Sequence, residues 1–146
     1  MKDKDCIFCK ILDGEIPSVQ VYRDDLVTAF MDIQPINRGH VLVIPNTHSQ
    51  LVEGLDDSVT ARMFTVGCRI NRAIRNSGIP AEGINFYLAD GEAAAQEVFH
   101  SHLHCIPRYR GDGFRLVFPE HHKQMAPREV LEETAARIRE QLEAQA

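Results

Sequence analysis

Val98-Phe99-His100-Ser101-His102-Leu103-His104-Cys105-Ile106 places three histidines at strict alternation, in a chain with seven histidines among 146 residues. The flanks are apolar, so residues 98–106 read as a β-strand. Side chains on a strand point to alternate faces, so His100, His102 and His104 share one face, about 7 Å apart. Phe99, Leu103 and Cys105 fall on the other face, which would pack on a core. A solvated face would carry Lys, Glu and Thr. Three imidazoles in a row instead suit metal, phosphate or proton chemistry.

Length and composition bound what surrounds this strand. At 146 residues, 44% hydrophobic and 25% charged, the chain reads as one globular domain with a full core. A net charge of −5 argues against a nucleic-acid partner. Met1-Lys2-Asp3-Lys4-Asp5 has no apolar run behind it, so neither a signal peptide nor a membrane span is expected. Cys6, Cys9, Cys68 and Cys105 are then expected as free thiols in a reducing, cytoplasmic setting.

Ahead of the histidines, residues 19–23 and 26–31 read as a hairpin around Asp24-Asp25, and Asp32 ends it. His40-Val41-Leu42-Val43-Ile44-Pro45 reads as a strand buried on both faces, followed by a loop at Asn46-Thr47-His48. Asp56-Asp57-Ser58 offers N-caps for a long helix. Val59, Met63, Val66, Ile70 and Ala73 or Ile74 give it an apolar stripe, and Gly78 and Pro80 stop it. Residues 83–89 read as another strand, Asp90-Gly91 as a turn, and residues 92–96 as a small-residue loop whose backbone amides can approach a ligand. Beyond Arg108 the chain reads as an extension. His121-His122 is an exposed pair there, and Pro127 opens a helix striped by Val130, Leu131, Thr134, Ile138 and Leu142, with Glu133 and Arg137 spaced to pair. The class is therefore α+β: a mostly antiparallel sheet, one long central helix and a C-terminal helix, in a single domain over 1–146 with its core at about 6–108.

Two chemistries compete for the histidines. Cys6-Ile7-Phe8-Cys9 is a CxxC with no strand before it, which suits half of a metal site better than a thioredoxin-like redox pair. A closed zinc site needs two more N or S ligands, and spacing does not choose among His40, His48, His100, His102, His104, His121 and His122. The alternating triad cannot bind one metal by itself, because its ends lie about 13 Å apart on a strand. An unprotonated imidazole is, however, a good nucleophile toward phosphorus, and a neighbouring imidazole can stabilise the charge that develops.

His100-Ser101-His102-Leu103-His104-Cys105-Ile106 resembles the signature of the histidine-triad (HIT) family. The likeness runs from Cys6 to about Arg108. It includes Phe30-Met31-Asp32-Ile33, the run from Gly39 to Pro45, and Asp90-Gly91, Ala94, Gln96 and Val98. The resemblance implies a HIT-like fold and a nucleotidyl hydrolase or transferase acting on dinucleoside polyphosphates or nucleoside phosphoramidates, with a purine, adenosine-type nucleotide as substrate. It implies His102 as the nucleophile of a nucleotidyl-histidine intermediate and His104 as the residue on the phosphate. Asp32 would hold the ribose hydroxyls, Ile33 would pack near sugar or base, and the backbone of Ala95, Gln96 and Glu97 would form the phosphate loop. It further implies a structural zinc on Cys6, Cys9, His48 and His100, and a homodimer. Two positions depart from the family pattern. Ala89 stands where Asn or Gln is usual, and Ala95 where Gly is usual. The first departure leaves open a nucleotide-binding module with weak turnover.

Overall fold

Strand alternation divides this protein into two faces, and the division places the site. The structure is a computed structural model that describes residues 2–145. Five strands, β1 (Gln20–Arg23), β2 (Val27–Met31), β3 (Val41–Pro45), β4 (Gly83–Tyr87) and β5 (Leu103–Arg108), form one antiparallel sheet in the order β1-β2-β3-β5-β4. Helices α1 (Ile7–Leu12), α2 (Asp57–Asn76) and α3 (Arg128–Ala144) complete it, with short 3₁₀ turns at Val52–Gly54, Glu92–Ala94 and Glu120–Lys123.

The central strand β3 is buried at every position because both of its faces are covered. Val41 and Val43 join Val27, Ala29, Leu103 and Cys105 against the α2 residues Met63, Val66, Ile70 and Ile74. Leu42 and Ile44 face the other way and join Phe30 with Phe8 and Leu12 of α1. The stripe on α2 is the expected one, with Ile74 buried and Ala73 exposed. Gly67 lets α2 approach closely: a Cβ there would lie 3.0 Å from Leu103 Cδ2. The hairpin turn is fixed by Asp24, whose Oδ1 accepts the Leu26 and Val27 amides at 2.9 and 2.8 Å.

The histidine stretch corrects the expectation of a strand over 98–106. The strand begins at Leu103, and the β3–β5 ladder ends at the pair Val43–Leu103. Before it, the backbone bonds elsewhere: the His100 amide donates to Val98 O at 2.9 Å and the Ser101 amide to Ser49 O at 2.8 Å. The Pro45 carbonyl accepts from the His100 imidazole Nε2 at 3.0 Å, a side chain taking the place of a ladder partner. Phe99, expected in the core, is consequently 44% exposed, and His100 is free to turn away from its neighbours. Pro127 also shifts by one place, as the residue before the first turn of α3.

The chain forms two units, one ending at Gly113 and one beginning at Phe114. The second is built around α3, none of whose residues is buried; Arg137 and Glu133 pair on it at 2.6 Å, as does Arg128 with Glu132 at 2.7 Å.

Candidate active site and metal centre

The CxxC and the first histidine of the triad meet at one point. Cys6 caps α1 and Cys9 lies one turn into it, so a single helical turn aims both sulfurs the same way. Cys6 Sγ lies 3.5 Å from His100 Nδ1, Cys9 Sγ lies 3.5 Å from His48 Nδ1 and 3.7 Å from His100 Nδ1, and the two Nδ1 atoms are 3.3 Å apart. All four donor atoms fall within 4.8 Å of one another. Zinc–sulfur and zinc–nitrogen bonds of about 2.3 and 2.0 Å at tetrahedral angles give edges of about 3.5 Å (S to N) and 3.3 Å (N to N). The donor set fits that polyhedron. Each histidine also has its other ring nitrogen committed, His100 Nε2 to the Pro45 carbonyl and His48 Nε2 facing Asp3 Oδ2 at 3.7 Å. Such outer partners orient metal-binding imidazoles. Burial holds His100 neutral, its pKa pushed down to about 4 against the opposing Pro45 carbonyl.

The second and third histidines have different surroundings. His102 Nδ1 lies 2.8 Å from the His100 carbonyl. A carbonyl only accepts, so Nδ1 carries the proton and Nε2 keeps its lone pair. Burial lowers the His102 pKa, opposed by that hydrogen bond and by the carboxylates of Asp32 and Glu97. The ring is thus a neutral base with its nucleophilic nitrogen defined.

The tautomer of His104 is set through His40. The Ile36 amide donates to His40 Nδ1 at 3.2 Å, so His40 carries its proton on Nε2. That proton goes to His104 Nδ1 at 2.8 Å, which leaves His104 with an N–H on Nε2. Burial, with His102 and His40 beside it, pushes the His104 pKa down to about 4. The His102 and His104 rings lie 4.8 Å apart, closer than an ideal strand repeat, because His102 precedes the ladder. Two adjacent neutral imidazoles therefore present opposite polarity, one a lone pair and one a donor.

Asp32 joins this cluster from the end of β2. Its amide donates to the His40 carbonyl at 3.0 Å, one carboxylate oxygen accepts the Gln34 amide at 2.8 Å, and the other lies 3.6 Å from His40 Nε2. Ile33 beside it is 90% exposed. In the loop before the triad, Ala95 adopts φ 63°, ψ 36°, the left-handed region that suits glycine. The Ala95 and Gln96 amides donate within the loop, to Glu92 O at 2.9 Å and Gly91 O at 3.2 Å; the Glu97 amide is not among these internal donors. Gln96 is buried and its side chain ties the loop to its surroundings, while Glu97 is exposed. Ala89 is buried and offers no polar group.

Three residues at this site received no role in the sequence. His40 was one of seven candidate ligands, yet it shares strand parity with Leu42, the ladder partner of His104, and that parity places it on the histidine face. Phe8 was passed over inside the CxxC. Its spacing to Leu12 marks a helical apolar face, and its ring stands edge-on to His100 at 5.8 Å and His102 at 5.2 Å. Tyr87, the register partner of His104, lies 5.6 Å from its ring and donates to the Ala94 carbonyl at 3.2 Å. No signal in the sequence marked it.

Residues 13–111 match the HIT domain family. An uncharacterized HIT-like protein of Borreliella burgdorferi is 52% identical over 112 residues, 75% of this chain and 80% of that protein. A protein of Arabidopsis thaliana named adenylylsulfatase HINT3 is 38% identical over 108 residues, 74% of this chain and 54% of that one. Among solved structures, a HIT family protein from Bacillus anthracis superposes with a TM-score of 0.86 at 40% identity, covering 94% of this chain and 97% of that one. A Zn-bound histidine triad family protein from Mycobacterium smegmatis gives 0.73 at 42% identity, covering 80% and 84%. A histidine triad nucleotide-binding protein from Candida albicans gives 0.85 at 29% identity, covering 97% and 100%. With that match and that identity, this chain belongs to the HIT family.

Proposed function

We propose that this protein is a nucleotidyl hydrolase that acts on nucleoside phosphoramidates or dinucleoside polyphosphates, of adenosine type, through a covalent intermediate on His102. The observation that carries the reading is the pair of fixed tautomers: His102 Nε2 with a lone pair, beside His104 with a hydrogen on Nε2. His102 Nε2 attacks the α-phosphorus and the P–N or P–O bond to the leaving group breaks. The leaving group departs with the bonding electrons and takes up a proton. His104 donates to the phosphoryl oxygens as charge builds on them. Water then attacks the same phosphorus, the P–N bond to His102 breaks, and the mononucleotide is released. Asp32, with one carboxylate oxygen fixed by Gln34, accepts from the ribose hydroxyls, and Ile33 packs near the sugar or base. The Arabidopsis and Candida relatives, named as an adenylylsulfatase and a nucleotide-binding protein, support a nucleotide substrate.

The same reading assigns a structural zinc to Cys6, Cys9, His48 and His100, supported by their edge lengths and by the Zn-bound Mycobacterium neighbour. Two thiolates and two imidazoles would close the coordination shell, so zinc held there would supply a cross-link and no open Lewis-acid position. A reducing, cytoplasmic setting belongs to the same proposal, since it keeps the Cys6 and Cys9 thiols available to zinc. No helix among the described residues is long and apolar enough to cross a membrane. A homodimer completes the proposal, checked by sedimentation at micromolar concentration.

The test is hydrolysis of adenosine phosphoramidate and diadenosine polyphosphates by the parent and by His102→Asn. Loss of turnover with retained AMP binding supports the assignment; undiminished turnover removes His102 as nucleophile. The second reading, a nucleotide-binding module with weak turnover, is favoured by Ala89 and by the two loop amides already engaged internally. Brisk hydrolysis by the parent rules it out.

A further inference from the structure

We infer that Phe8 is a positioning residue that couples occupation of the Cys6–Cys9–His48–His100 metal site to the orientation of the His102 ring. The inference rests on the reading of His102 as nucleophile. Phe8 lies between the two cysteines and is buried, with Cys9, where α1 meets the sheet. Its ring makes T-shaped contacts with both His100 and His102, at 76° and 82°, and with Phe30 at 5.6 Å. One aromatic ring thus touches a metal-facing histidine and the proposed nucleophile at once.

The metal knuckle adds to the core packing that holds Phe8 there. Helix α1 is six residues long and has no side-chain N-cap bond, and helices this short are unstable alone. Its placement depends on Phe8 and Leu12 in the core and on the two sulfurs. His102 is tied at Nδ1 to the carbonyl of His100, whose own ring belongs to the metal cluster. That bond restrains one edge of the imidazole. Rotation about it is limited by His104 at 4.8 Å and Phe8 at 5.2 Å. With the sulfurs released, α1 loses two of its anchors, the Phe8 contact loosens, and the His102 lone pair wanders from the line of attack.

The test compares parent and Phe8→Leu, each zinc-loaded and each stripped by a chelator, in two readouts. One is kcat and KM for adenosine phosphoramidate. The other is the ¹⁵N spectrum of the His102 imidazole, which reports its tautomer and ring order whether or not the protein turns over. Misorientation on this scale costs about tenfold or more in kcat. Stripping the parent is expected to lower kcat about tenfold with KM within about twofold, to broaden the His102 signals, and to be reversed by added zinc. Zinc-loaded Phe8→Leu is expected to keep one zinc per chain and to show the same loss, with little further loss on stripping. Three results overturn the inference: a stripped parent with unchanged kcat and spectrum, a Phe8→Leu effect confined to KM, or losses that multiply. If stripping unfolds the chain, loaded Phe8→Leu decides alone, and an unchanged kcat and spectrum there overturns the inference. Absence of turnover in the loaded parent refutes the hydrolase reading, and the His102 spectrum still decides the coupling.

Discussion

Replacing Gln96 tests whether the loop ahead of the triad is held by one side chain. Gln96 is 5% exposed and its side chain makes three hydrogen bonds. Its Oε1 accepts the Gly91 amide at 2.7 Å, and its Nε2 donates to Gln50 O at 2.8 Å and Val98 O at 3.0 Å. Each such bond contributes about 1 kcal/mol net, so Gln96→Ala is expected to cost about 3 kcal/mol. Gln96→Glu is the sharper probe because its shape is unchanged. The introduced carboxylate still accepts from Gly91 but aims an oxygen at two carbonyls. At pH 7.5 it is expected to destabilise at least as much as alanine. Burial beside two acceptors raises the pKa of the introduced group above its unfolded value of about 4.3. A raised folded pKa means that stability is retained below the unfolded value and lost as pH rises through the folded one. The deficit relative to the parent should therefore shrink at pH 5.0. Urea unfolding of parent and variants at both pH values measures this, with linear extrapolation. A Gln96→Glu midpoint giving less than about 0.5 kcal/mol of loss at pH 7.5 refutes the reasoning, since two mismatched bonds cannot cost so little.

Other outcomes follow from the same geometry. Ala95 occupies the left-handed region on an exposed loop, so Ala95→Val should cost more than about 1 kcal/mol while Ala95→Gly stays within about 0.5 kcal/mol of the parent, because relief of strain offsets the entropy glycine adds to the unfolded chain. His104 has its pKa depressed to about 4, against about 6.5 unfolded; the unfolded chain binds more protons between these values, so stability is full above pH 6.5 and falls toward pH 4 by up to about 3 kcal/mol. His104→Asn should flatten that part of the pH–stability curve, and an unchanged slope in urea titrations would count against a half-buried neutral His104. A chelator should lower the urea midpoint of the parent and leave Cys9→Ser, which lacks a sulfur ligand, nearly unmoved; equal shifts in both would disprove metal binding at this cluster.

Most of the framework was legible because local pattern and tertiary demand agree. The unbroken run Val41-Leu42-Val43-Ile44 could only be a strand covered on both faces, and its alternate residues do serve two separate cores. The α2 stripe was equally clear, since Val59, Met63, Val66, Ile70 and Ile74 repeat at helical spacing. The strand through His100 was overextended for a non-local reason. Alternation of apolar and polar residues at 98–106 satisfies the strand pattern, yet the partner carbonyl at Pro45 is claimed by the His100 side chain, and the Ser101 amide by Ser49. No local signal reports which distant group a backbone carbonyl will choose.

The division of labour among the histidines belongs to the same class of information. Their chemistry depends on which ring nitrogen carries hydrogen, and backbone groups decide it: Pro45 O for His100, His100 O for His102, and the Ile36 amide, by way of His40, for His104. Every one of these partners is a main-chain atom, which any residue type at that position would supply, proline at position 36 excepted. Composition and spacing therefore name the imidazoles without naming their protons. The consequence is physical as well as interpretive. A carbonyl cannot donate and an amide cannot accept, so neither can follow an imidazole into its other tautomer. The fold thus places three imidazoles within five residues of chain, each with its ring hydrogen set by the main chain, as the proposed roles of ligand, nucleophile and donor require. A substitution that displaces the backbone at Pro45 or Ile36 should disturb this chemistry as surely as one at His102, although neither side chain takes part in it.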